Sequence, residues 1–84
     1  MSIVYTNLYE INPLQQTIIK YILYWVQTRK VPVPQKEILR EMARDGGKRS
    51  TIIHSLDGLL RLGYIRRAIV KPSNTTSYVL LRTI

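Results

Sequence analysis

The 84-residue chain is long enough for one modest hydrophobic core and too short for two. Its 45% hydrophobic content and lack of low-complexity tracts exclude a disordered chain, and the absence of cysteine excludes disulfides and thiolate metal sites. The formal net charge is +8, and its distribution is uneven: residues 1–45 hold six basic and four acidic side chains, residues 46–84 seven basic and one acidic. Such an excess in one half attracts polyanions through counterion release, which points to nucleic acid.

Residues 1–11 are rich in Ile, Val and Tyr and read as an extended N-terminal arm ahead of a domain over residues 12–84. Asn12-Pro13-Leu14-Gln15 is a helix start: Asn12 caps, Pro13 loses no needed N–H in the first turn, and Gln15 completes a capping box. The first helix is expected to run to about Thr28. Its Leu14, Ile18, Ile19, Tyr21, Ile22, Leu23, Trp25 and Val26 cover about 200° of a helical wheel, against the ~100° that one core-facing stripe needs. That width calls either for the N-terminal arm to fold over the helix or for a second subunit, and Tyr and Trp in the excess favour a homodimer through this helix and the arm. Ile19, Leu23, Tyr24 and Trp25 are the expected interface residues.

Val31-Pro32-Val33-Pro34 is an extended link, able to form a very short strand, before a second helix at residues 35–44. That helix sets Ile38, Leu39, Met42 and Ala43 on one face and Glu37, Arg40, Glu41 and Arg44 on the other. Asp45-Gly46-Gly47 breaks it. A third helix follows, with Ser50 or Thr51 expected as its cap and Ile52, Leu56, Leu59 and Leu60 directed to the core. The other side carries Thr51, His54, Ser55, Gly58 and Arg61, small or hydrogen-bonding and none of them acidic. Such a face suits a helix lying in a DNA major groove. Gly63 ends this helix. Residues 64–71 and 77–82 then read as two strands joined by a polar loop.

Enzymatic chemistry is not expected. One His, no Cys and five scattered carboxylates provide neither a catalytic set nor a metal or cofactor site. Gly46-Gly47-Lys48 is no phosphate loop, because Arg49 stands where Ser or Thr is required and Met42 where the first Gly belongs. The most apolar run, residues 18–26, is far short of the ~20 residues of a membrane span and contains Lys20. With no secretory signal read either, the expected location is the cytoplasm, or the host cytoplasm if the chain is viral.

The order helix, link, helix, turn, helix, hairpin is that of a winged helix-turn-helix. Ser50-Thr51-Ile52-Ile53-His54-Ser55-Leu56 through Leu62-Gly63-Tyr64-Ile65-Arg66-Arg67 resembles the recognition-helix-to-wing segment of MarR-type regulators. Asn12-Pro13-Leu14-Gln15-Gln16, followed by Val31-Pro32-Val33-Pro34-Gln35-Lys36-Glu37-Ile38, is similar to the LexA N-terminal DNA-binding domain. The resemblance spans residues 12–82 but not the dimerising helices of MarR proteins or the protease half of LexA, so ligand sensing and self-cleavage are not implied. A winged helix of this size also resembles small regulators of archaea and their viruses.

The resemblance implies an α+β fold of three helices plus a C-terminal two-stranded β-hairpin wing, and a sequence-specific transcriptional regulator of double-stranded DNA. The alternatives are a winged helix that binds protein or RNA, or an architectural DNA binder indifferent to sequence. In the regulator, the third helix enters the major groove and offers Thr51, His54 and Ser55 to base edges. Arg49 and Arg61 reach a guanine edge or a phosphate; Lys48 and Ser50 are phosphate ligands at the helix start. Gln35 and Lys36 clamp the backbone on one side, while Lys71, Ser73, Asn74 and Thr75 serve the adjacent minor groove or phosphates. Arg66 and Arg67 point to opposite faces of their strand, so at most one faces DNA.

Overall fold

A computed structural model describes residues 11–82, so the arm expected over residues 1–11 lies outside the described residues apart from Ile11. The described chain is α+β, with three helices and a three-stranded antiparallel sheet. In order these are α1 (Pro13–Arg29), β1 (Val33–Pro34), α2 (Gln35–Ala43), α3 (Arg49–Leu62), β2 (Ile65–Val70) and β3 (Thr75–Leu80).

α1 begins where the capping box requires. The Asn12 Oδ1 accepts the Gln15 N–H at 2.8 Å, and the Gln15 Oε1 accepts the Asn12 N–H at 2.9 Å. The same Gln15 amide reaches across the domain, donating from Nε2 to the Ser55 carbonyl of α3 at 3.2 Å. Where it crosses, Gly58 leaves the space: a Cβ there would stand 2.6 Å from Gln15 Nε2. Ser55 and Gly58 are therefore the seam on which α1 lies, not part of an outward face as their polarity suggests; Ser55 is only 4% exposed.

α3 starts one residue before the expected caps. Lys48 is its N-cap, extended and without a side-chain hydrogen bond, and Ser50 and Thr51 sit inside the first turn. The turn ahead of it is tight, since a Cβ at Gly47 would lie 3.0 Å from the Met42 carbonyl oxygen and 3.3 Å from Ile52 Cδ1. At the other end Gly63 adopts φ 82°, a left-handed conformation that costs glycine little, and Tyr64 N–H returns to the Leu59 carbonyl at 3.0 Å.

The sheet order is β1-β3-β2. The link therefore does form the short strand it is able to form, with Val33 opposite Tyr78 and Pro34 opposite Ser77. Pro34 is tolerated because β1 is an edge strand. The core gathers Ile18, Ile19 and Ile22 of α1, Val33, Ile38 and Met42, Ile52, Leu56 and Leu59 of α3, and Tyr64, Ile65 and Tyr78. Ile69 and Val70 stay exposed, so the distal half of the β2–β3 hairpin extends past this core.

The wide apolar arc of α1 is largely absorbed within one chain. Ile19 is 1% exposed and belongs to the core, which removes it from the expected dimer interface. Leu23 and Trp25 are half-buried, and Tyr24 at 60% is the large side chain left uncovered. Leu23 and Tyr24 also point in different directions, since adjacent helical residues are about 100° apart. No helix among the described residues is long and apolar enough to cross a membrane.

Candidate nucleic-acid interface

The first turn of α3 is open and positively charged. Lys48, Arg49, Ser50 and Thr51 are all exposed, and the turn contains no acidic residue. The first intrahelical bond is Ile52 N–H to the Lys48 carbonyl at 3.0 Å. No side chain caps the N–H groups ahead of it. Free N–H groups, the positive end of the helix dipole and two cationic side chains thus converge on one place.

Along the helix His54 and Arg61 are exposed, but so is Asp57, one turn beyond His54. The absence of acid from the outer face therefore holds only for its first half. A phosphate backbone passing the helix is attracted over residues 48–54 and repelled at Asp57. Ser55 drops out as a base-reading candidate because it is buried against α1. The contiguous exposed set is Lys48, Arg49, Ser50, Thr51 and His54.

The other expected contacts are distributed differently. Gln35 spends its amide Nε2 on the Tyr78 hydroxyl at 3.2 Å, which ties the start of α2 to the central strand. Lys36 is exposed beside Val70 and Thr75, on a shared groove next to the hairpin. At the hairpin tip Lys71 Nζ donates to Asn74 Oδ1 at 2.8 Å, and the Ser73 and Thr75 hydroxyls are 2.5 Å apart. These tip groups hold one another, while the Lys71 ammonium keeps two donors for an anion. Arg66 and Arg67 are both exposed, opposite Val79 and Tyr78, and so lie on different faces of the sheet.

One basic residue escaped sequence reasoning. Arg82 places its guanidinium 4.2 Å from the Tyr64 ring centroid and donates from Nη1 to the Leu62 carbonyl at 3.3 Å. It closes the C-terminal end of α3, where a cation suits the dipole. Only the fold brings it there, because nothing in its local sequence marks a residue after a strand as a helix cap.

Among the described residues no group of three His, Cys, Asp or Glu side chains is placed to hold a metal ion. Comparison of the chain with protein-family models, with curated proteins and with solved structures returned no match.

Proposed function

We propose that the chain is a sequence-specific transcriptional regulator of double-stranded DNA, built as a winged helix-turn-helix. α3 is its recognition helix and the β2–β3 hairpin is its wing. The observation that carries this reading is the start of α3: four exposed polar or basic residues, uncapped N–H groups and no carboxylate within the first turn. On a chain of net charge +8, that end is an anion-binding surface with side chains long enough to read a groove.

Arg49 and Lys48 neutralise phosphates or, for Arg49, reach a guanine edge. Thr51 and His54, a turn apart on the same side of α3, face base edges. Asp57 marks where the groove leaves the helix, which matches docking by the N-terminal part of a recognition helix. Lys36 and Lys71 extend the contact to the backbone on the hairpin side.

Fluorescence anisotropy on duplex DNA over a salt series tests the reading, joined to selection of bound sequences from a random pool. Expected are a steep salt dependence and an enriched motif, with Arg49→Ala lowering the slope of log K against log salt by about 1. Thr51→Ala and His54→Ala should relax the motif at defined positions. Absence of duplex binding at low salt would overturn the proposal. Equal affinity for every duplex, unaffected by Thr51→Ala and His54→Ala, would convert it to an architectural binder.

A further inference from the structure

Between α1 and α2 lies a cleft of about 630 Å³ whose lining includes Tyr21, Tyr24, Trp25, Arg29, Glu37 and Glu41. Its aromatic wall is ordered from within: the Tyr21 and Trp25 rings are 6.1 Å apart and tilted by 55°, and the Arg29 guanidinium sits 4.2 Å from the Trp25 centroid. Its opposite wall holds Glu37, Arg40 and Glu41; Glu37 is paired with Arg40 and mostly covered, while Arg40 and Glu41 are more open and Glu41 pairs with Arg44 outside the cleft. Tyr24, at 60% exposure, stands at the rim.

We propose that this cleft is a two-fold contact between two copies of the chain, in which Tyr24 of each copy packs on the other's Tyr21–Trp25 wall and Arg29 and Arg40 face the partner's Glu37 and Glu41. Charge selects a second copy as the occupant. A chain of net charge +8 repels itself over most of its surface. Of its five acidic side chains, three fall within residues 37–45, along α2 and the turn after it. Both signs meet there beside exposed aromatic area, and a two-fold interface demands this self-complementarity, since each residue contacts the counterpart of its own partner. A foreign basic partner would instead meet Arg29 and Arg40 alongside the two carboxylates. Tyr and Trp are also the side chains that dominate interface energies.

This contact differs from the one the helical wheel suggested. Ile19 and Leu23 are not among the lining residues, and α2 contributes Glu37, Arg40 and Glu41.

Light scattering and sedimentation velocity on the full chain without DNA, over roughly 1–500 µM to bracket a micromolar dimer, test the inference. The parent is expected to dimerise. The double variant Glu37→Arg/Glu41→Arg should dimerise roughly a hundredfold more weakly, as should Arg29→Glu/Arg40→Glu, because each places like charges across the two-fold axis. Mixing the two should restore a heterodimer. Tyr24→Ala, at an exposed position that the fold does not need, should weaken the dimer by about tenfold and decides the matter if a charge-reversed variant loses its circular dichroism. A parent that stays monomeric throughout, reversed variants that dimerise unchanged, or a mixture that yields no heterodimer would overturn the inference. Because no DNA is present, a monomer that still binds duplex refutes this contact and leaves the regulator reading intact.

Discussion

Gly58→Ala separates two accounts of a mid-helix glycine by the sign of its effect. In an unconstrained helix the substitution stabilises by about 1 kcal/mol through helix propensity. Here the new Cβ would stand 2.6 Å from Gln15 Nε2. A terminal amide usually swings away from such a clash at little cost, but this one is held at both ends. Its oxygen accepts the Asn12 N–H at 2.9 Å, and its nitrogen donates to the Ser55 carbonyl at 3.2 Å. Displacing it forfeits both bonds, at about 0.5–1.5 kcal/mol each. The net effect is a destabilisation of up to about 2 kcal/mol, where each 1 kcal/mol lowers Tm by about 4–8 °C in a domain of this size. Urea unfolding followed by far-ultraviolet circular dichroism measures it. In a Gln15→Ala background the obstacle is gone, so the same substitution should become stabilising by about 1 kcal/mol. A Gly58→Ala variant more stable than the parent, or a double-mutant cycle with no coupling to Gln15, would refute the reasoning.

Three further outcomes are expected. Asp57→Asn should tighten duplex DNA binding a few-fold at low salt and leave affinity at high salt nearly unchanged, measured by anisotropy, because it removes the exposed carboxylate of α3. Arg82→Ala should lower stability by about 1 kcal/mol in urea unfolding, and Arg82→Lys by less, since lysine keeps the cation but loses the planar stacking on Tyr64. Burial pushes the Tyr21 phenol above its ordinary value of 10.0, helped by the Glu41 and Glu37 carboxylates. The unfolded chain then ionises first, so this contribution is complete below pH 10.0 and is lost as pH rises through the higher folded value. Tyr21→Phe should flatten the alkaline fall of the urea midpoint.

Local features were the legible ones. The Asn12–Gln15 box, the Gly63 stop and the Ile and Leu spacing of α3 are each specified within a few residues, and the fold uses them as the pattern predicts. What eluded the pattern was set by distant chain. Ser55 and Gly58 look outward by polarity, yet α1 claims them through Gln15, forty residues away in sequence. Ile19 lies in an arc too broad to divide between core and surface until the fold buries it in the common core. Ser50 and Thr51 are good caps, but the packing of Gly47 on Met42 and Ile52 starts the helix earlier. At the candidate interface the basic residues were legible as charges. That Gln35 is committed to Tyr78 and that the tip residues bond one another follow only from three-dimensional neighbours.

The place of β3 in the sheet bears on how the chain reaches its structure during synthesis. The strand in the middle is made after both of its neighbours, and among the described residues β1, about forty residues upstream, pairs with no other strand. All three helices can be present while Val33 still lacks Tyr78, its partner across the sheet, and the core still lacks that buried ring. Cooperativity is thus delayed until β3 is made, where non-local pairing makes closure the slow event. A chain cut just before β3 would leave both outer strands unpaired and yield an aggregation-prone helical remnant rather than a slightly smaller domain.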